Sequence, residues 1–418
     1  MSNSASSRPG SAEENRHEAL SSELLELLDV TGPGPLADII LQRAFELNAT
    51  DIHLEPTPSG LRVRYRVDGL LHEIVRLPTT AMQPIIQRIK LMANMDIAER
   101  RLAQDGHIAR SMLNQPRDIR IGSGPTIYGE RLVLRLMPDE AAFTRLDDLG
   151  MEPDQIETLR RVLKSPYGLI LVVGPVGCGK STSVYSFLQE ISTPQKSIVT
   201  IEDPVERRNE GICQIQVEPK IDFHFADALR CVLRQDPNVM MVGEIRDAET
   251  AQIACRSALT GVLVLSTIHA NNTASAIDVL QGFGVPRMFI ADGLRCVLSQ
   301  RLLLKVCQKH REVYHPDEAA CRMLEIDPSQ AQSVNLVRGL PADSNFHTGF
   351  SGRTSIFEIM EVSKPIRQAI LRGDSAIEIA EIAHREGMKS LSDAARNKVL
   401  SGVTSIDQMH QSMLSFTD

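Results

Sequence analysis

Residues 174–182 read Gly-Pro-Val-Gly-Cys-Gly-Lys-Ser-Thr, three glycines ahead of a lysine and two hydroxyls. Glycines so spaced let successive backbone N–H groups converge on an anion, and a helix starting there adds the positive end of its dipole. Lys180 would reach the terminal phosphate oxygens, and the Ser181 hydroxyl would offer a ligand to Mg²⁺. The predicted chemistry is phosphate binding by Gly174, Pro175, Val176, Gly177, Cys178, Gly179, Lys180, Ser181 and Thr182. The setting strengthens the motif: an apolar run, Leu-Ile-Leu-Val-Val (169–173), precedes it and a helical pattern follows. Cys178 lies inside the loop, where a helix N-terminus can lower a thiol pKa. The motif leaves that position open, however, so a small filler residue is the expected reading.

A phosphate loop alone does not separate kinases, GTPases and motors, so the carboxylates that follow it matter. Glu202, Asp203 and Glu206 come directly after a strand-like run (197–201), at the end where α/β sheets bind ligands. Carboxylates there can position an attacking water and a metal. Val-Met-Met-Val (239–242) leads to Glu244 in the same way, and Leu-Val-Leu-Ser (263–266) leads to Thr267 and His269, candidates to sense a γ-phosphate. Each is unremarkable alone. Three such strand ends after one phosphate loop make a site.

The elements that must position these residues follow from periodicity. A helix is expected over 36–47, a strand over 61–67, a hairpin turn at Asp68-Gly69 and a return strand over 70–75. Arg62, Arg64 and Arg66 alternate with apolar residues and form one polar face, for which solvation is the expected role. A helix over 81–95 and strands over 117–121 and 131–136 complete a small α/β domain. Apolar strands alternating with helical patterns from 169 onward predict a mostly parallel sheet covered on both faces. Beyond Gln300 the pattern is mainly helical, with helices expected over 377–383 and 391–399. The expected divisions are a disordered tail with a short helix (1–30), an N-terminal α/β domain (31–140), a linker (141–150), a phosphate-loop domain (151–305) and a mainly helical C-terminal region (306–418).

Composition narrows the class. Of 418 residues, 42% are hydrophobic and 23% charged, as in an ordinary globular protein. A net charge of -8, no Trp and 4% aromatic residues argue against nucleic acid as a partner. No run approaches the roughly 18 apolar residues of a membrane span, and the Ser/Glu-rich start is unlike a signal peptide, so a cytoplasmic location is expected. Seven cysteines scattered through strand-like and helix-like segments suggest reduced thiols.

Eight ordered blocks carry a resemblance: Asp-Ile-His-Leu-Glu-Pro (51–56), Arg-Val-Asp-Gly (66–69), Gly-Glu-Arg (129–131), the phosphate loop, Ile-Glu-Asp-Pro-Val-Glu (201–206), Leu-Arg-Gln-Asp-Pro (233–237), Gly-Glu-Ile-Arg-Asp (243–247) and Ser-Thr-Ile-His-Ala-Asn (266–271). With them the chain resembles the type II secretion and type IV pilus assembly ATPases, the secretion and extension branch more than the retraction motor. The resemblance implies a RecA-like ATPase domain preceded by a PAS-like α/β domain, ATP and Mg²⁺ as cofactors, and a homohexamer. It further implies an inner-membrane platform partner, through which alone the membrane is contacted. It makes Glu206 a catalytic carboxylate, Glu244 the acid near Mg²⁺, His269 part of the His box, and Arg120 and Arg135 donors from the N-terminal domain to the phosphates.

Three departures stand out. Val262 replaces the second histidine with which the family's His box opens. The N-terminal recruitment segment is expected to be short, about thirty residues against a usual domain of 50 or more. The paired Cys-x-x-Cys motifs of many relatives read Cys307-Gln-Lys-His310 and Ala342…Asn345, so no zinc is expected even though His315, Cys321 and His347 lie nearby in sequence. Two alternatives remain beside an assembly motor: a pilus retraction ATPase, and a low-turnover regulatory subunit, which Val262 would motivate.

Overall fold

A computed structural model describes residues 16–109, 118–137 and 145–414. The expected tail up to residue 15 and residues 141–144 of the expected linker lie outside them. The chain divides into two compact units, the first holding the described residues up to Met137 with Val306–Glu312 and Gly339–Gly352, the second the remainder.

In the first unit, six strands, β1 (Asp51–Thr57), β2 (Gly60–Val67), β3 (Leu70–Leu77), β4 (Gln104–Ile108), β5 (Ile119–Thr126) and β6 (Gly129–Leu136), form one sheet in the order β3-β2-β1-β6-β5-β4. All its neighbours run antiparallel. Alternation sorts the residues: Ile52, Leu54, Leu61, Val63, Tyr65, Ile121, Leu132 and Leu134 join one core with the helices Arg16–Thr31, Pro33–Glu46 and Thr79–Met92. The Tyr65 hydroxyl donates to Ile40 O at 2.7 Å, tying helix to sheet. β1 and β4 were not anticipated. The alternate residues of β1 are Asp51, His53 and Glu55, polar yet buried, and the local pattern of a strand hides when its second face is polar and covered.

In the second unit, β7 (Gly168–Val173), β8 (Ile198–Glu202), β9 (Cys213–Gln216), β10 (Val239–Val242), β11 (Leu263–Ile268), β12 (Leu294–Val306) and β15 (Phe350–Glu361) form a sheet in the order β15-β12-β7-β11-β10-β8-β9. β13 (Arg311–Tyr314) and β14 (Leu336–Gly339) pair separately. The strands from β12 to β9 pair in parallel. Both faces are buried: Leu169, Leu171 and Val173 enter one core while Ile170 and Val172 enter another. That is why these strands read as continuous apolar runs. The segment expected to be mainly helical also supplies β15, beside β12. Its helices Lys364–Arg372, Ala376–Arg385 and Leu391–Leu400 are capped by Ser363, Ser375 and Ser390, each accepting a backbone N–H three residues on. No helix among the described residues is long and apolar enough to cross a membrane.

Candidate active site

Parallel register brings the functional ends together. Val173 at the end of β7 lies opposite Ile268 of β11, and Val242 of β10 lies opposite both Ser266 and Ile201. The phosphate loop, Glu202–Glu206, Glu244 and His269 therefore all leave the C-terminal edge of one sheet, with β11 as its central strand and β7 beside it, where open α/β sheets bind ligands.

The loop is shaped for a close approach. Gly174 has φ 147, and a Cβ there would lie 2.6 Å from Gln300 O and 2.7 Å from Cys178 Sγ. Gly179, at φ 92, would place a Cβ 2.9 Å from Gln300 Nε2. No side chain fits at either position. The helix Lys180–Ile191 starts at Gly179 with no side-chain cap, which leaves its N-terminus to an external anion. Lys180 Nζ donates to Gly174 O at 2.7 Å and Pro175 O at 3.0 Å, and burial lowers its pKa against the attraction of Glu244. A side-chain-free cradle, an uncapped helix and a lysine parked on loop carbonyls fit a triphosphate. Cys178 is buried and its thiol pKa is pushed up, opposite to helix activation.

The carboxylates divide into supports and exposed groups. Glu202 is 3% exposed; it accepts from Tyr185 Oη, from Thr200 Oγ1 at 2.6 Å and from Gln214 Nε2 at 3.1 Å. It anchors the turn rather than facing a ligand. Glu206, four residues on, is exposed and close enough to Tyr185 for its charge to raise the phenol pKa further. Arg246 ties Glu244 to Asp203, donating from Nε to the first and from Nη1 to the second at 3.2 Å. Thr267 is buried and donates to Gly243 O at 2.8 Å, so it shapes the Glu244 turn instead of sensing phosphate. His269, just past β11, is exposed.

Sequence reasoning missed Gln300 and Arg301, two polar residues inside the apolar β12. Gln300 accepts from Ser183 Oγ at 2.7 Å beneath the loop, and Arg301 donates to Gln300 O and Asn271 O. The available signal was the adjacent pair Gln300-Arg301 in the middle of a mostly apolar run. Val262 lies in the core, and its carbonyl accepts from Gly168 N at 3.1 Å. It stands at the start of β11, roughly 20 Å along the strand from His269 at about 3.3 Å per residue.

In the first unit the polar face is an ion-pair network. Glu55 receives Arg62 at 2.7 Å, Arg64 at 2.6 Å and Arg131 at 3.3 Å, while Asp51 receives Arg66 and Arg135 at 3.4 Å each. Burial alone would raise the Glu55 pKa, but hydrogen bonds from Arg64 and Arg62 overcome it and leave the carboxyl below its ordinary value. These arginines are engaged, not merely solvated. Arg120 lies opposite Arg135 and His107 in register.

Where relatives carry paired cysteines, the Asn345 side chain is the brace. Its Oδ1 accepts from Ala342 N at 3.0 Å and Gly349 N at 3.1 Å, and its Nδ2 donates to Leu340 O at 3.0 Å. His315 Nδ1 contacts Val334 O at 3.0 Å, and Cys307 and Cys321 are buried. Glu18, Asp343 and His347 bring donor atoms within 4.8 Å of one another, and Asp343 Oδ1 also accepts from Glu18 N at 3.1 Å.

The sequence profile of the family described as Type II/IV secretion system protein matches residues 33–411. The chain is 41% identical to the type IV pilus assembly ATPase PilB of Thermus thermophilus, over 91% of this chain but 43% of that protein. It is 39% identical to type II secretion system protein E of Xanthomonas campestris pv. campestris, over 94% of this chain and 70% of the relative. Among solved structures, the pilus retraction motor PilT with bound ADP is similar at TM-score 0.61 and 25% identity, over 89% of this chain and 95% of that one. The ATPase DotB of Legionella pneumophila shares the fold at TM-score 0.67 and 21% identity, over 90% of this chain and 94% of its own.

Proposed function

The chain belongs to the Type II/IV secretion system protein family, and on that premise we propose that it is an ATP-hydrolysing motor for type II secretion or type IV pilus-like filament assembly. The observation that carries this reading is the gathering of Lys180, Glu244, Glu206 and His269 at one edge of a parallel sheet, around a loop in which two glycines tolerate no side chain.

Bound MgATP supplies the phosphoanhydride whose terminal phosphoryl group passes to water. The loop amides and Lys180 hold the phosphates, Lys180 exchanging the carbonyls of Gly174 and Pro175 for phosphate oxygens. Ser181 and Glu244 are the residues that would hold Mg²⁺. Glu206, exposed and backed by the buried Glu202–Tyr185 contact, orients the attacking water and takes its proton. His269 faces the terminal phosphate. Arg120 and Arg135 are the first unit's candidates to offset the charge that develops there.

In this reading the motor works in the cytoplasm as a homohexamer, reaches the inner membrane through a platform protein and needs no nucleic acid. Val262 gives the low-turnover alternative no support, because it is a core residue at the opposite end of β11. Steady-state hydrolysis by the purified chain tests the proposal: turnover that requires Mg²⁺ and stops with chelator is expected. A chain that binds ATP without turnover would support the regulatory reading instead.

A further inference from the structure

Two buried charges hold the loop that carries His269, and the catalytic roles above use neither. Arg301 on β12 is 5% exposed, and its guanidinium spans two backbone carbonyls, Nη1 donating to Gln300 O at 2.9 Å and Nη2 to Asn271 O at 2.7 Å. The first carbonyl is the atom against which Gly174 is packed, and the second lies two residues past His269. One side chain therefore joins the opening of the phosphate loop to the His269 loop. Glu358 on β15, 7% exposed, fixes the far end of the same loop by accepting from Thr273 N at 3.0 Å and Thr273 Oγ1 at 2.6 Å. The Glu358 charge is close enough to act on Arg301, whose pKa burial lowers and this carboxylate helps raise.

A buried ion is expensive, and apolar residues of similar volume often serve stability as well or better. The neighbours Leu298, Leu303 and Leu304 show that β12 accommodates leucine. A planar guanidinium, by contrast, fixes the spacing of two carbonyls with a rigid fork; leucine offers no donor, and a lysine ammonium is a single rotatable point charge that does not set that spacing.

We propose that Arg301 is a positioning residue for ATP hydrolysis: it sets His269 against the phosphate loop, with Glu358 as the second anchor of the same segment. The proposal rests on the ATPase reading of the site. Nucleotide affinity comes from the loop amides and Lys180, whereas Arg301 donates its two hydrogen bonds to Gln300 O and Asn271 O, so that turnover depends on the relative placement of the two loops. Small displacements of a reacting constellation cost up to about 10²-fold in rate.

The test is a double-mutant cycle in the full chain with Arg301→Gln and His269→Ala, reading kcat and KM for MgATP, the affinity for a fluorescent ATP analogue, and thermal unfolding. Each single variant is expected to lower kcat by roughly 10- to 100-fold with analogue affinity within about 3-fold. The double variant is expected to be no slower than the slower single. Arg301→Lys, which keeps the charge but lacks the rigid fork, should melt like the wild type yet stay slow. If Arg301→Gln does not fold, Thr273→Val, which removes one donor to Glu358, replaces it in the cycle with the same expectation. Effects that multiply independently, a wild-type kcat in either single variant, or a loss of affinity matching the loss of kcat/KM would each overturn the proposal while leaving the ATPase reading intact. A wild-type chain that turns over no faster than Lys180→Ala would remove that reading, and the proposal with it.

Discussion

Arg120 and Arg135 stand directly opposite one another on β5 and β6, in a row of the sheet that continues through Asp51 to Arg66. Like charges in facing positions oppose stability, and the single carboxylate in that row is shared between Arg66 and Arg135. Such a row is suited to an anion. Arg120→Ala should keep ATP affinity within a small factor and lower kcat by roughly 10², the scale of losing one charge-stabilising donor. Unchanged turnover would make this a strand face without a catalytic part. A fragment starting near Leu146 should bind nucleotide and hydrolyse it poorly, but it is the blunter test. It would strip Phe346 of its stacking on His72 at 4.3 Å and Gly352 N of its acceptor Asp68.

His53 gives a pH signature to the same sheet. It is buried, and its Nδ1 lies 3.0 Å from Arg131 Nη2, which assigns the ring proton of the neutral imidazole to Nε2. Burial and then Arg131 push its pKa below the ordinary 6.5, with Arg66 acting the same way and Glu55 and Asp51 opposing. The unfolded chain therefore takes up a proton near pH 6.5 that the folded chain refuses, so this contribution is complete above that pH and is lost as pH falls below it. Thermal unfolding of wild type and His53→Gln between about pH 5 and 7.5 should show the steeper acid-side loss in the wild type. Parallel curves would contradict the assignment.

The Asn345 brace makes a third prediction, that zinc is absent from the Cys307–His310 segment. Asn345→Ala leaves the buried Gly349 N and the Ala342 N without their shared acceptor, at a cost of about 1–3 kcal/mol seen as a lower melting temperature. Metal analysis of wild type purified without added zinc should return far less than one equivalent per chain. A value near one equivalent would mean that Cys307 and His310 have found further ligands.

The phosphate loop was legible because motif, preceding strand and following helix are contiguous in sequence. The carboxylates were only half legible: their place at strand ends could be read, but not that Glu202 is sealed beneath Tyr185 while Glu206 is exposed. β1 escaped because its alternate residues are polar and become buried only when arginines from β2 and β6 cover them. The same long-range dependence hid Arg301, whose partners lie at Gln300 and, thirty positions away, at Asn271. It also hid the membership of Gly339–Gly352 in the first unit, for which no local pattern exists.

Every role given to the second unit converges on Lys180, which contacts loop carbonyls and is not part of the apolar core. The decisive measurement is MgATP turnover by purified Lys180→Ala beside the wild type, with unfolding temperature as the control for fold. The expected result is an unchanged melting transition with hydrolysis lost, a deficit of at least about 3 kcal/mol in transition-state stabilisation. Wild-type turnover by a folded Lys180→Ala would contradict the assignment of this loop as the site of hydrolysis.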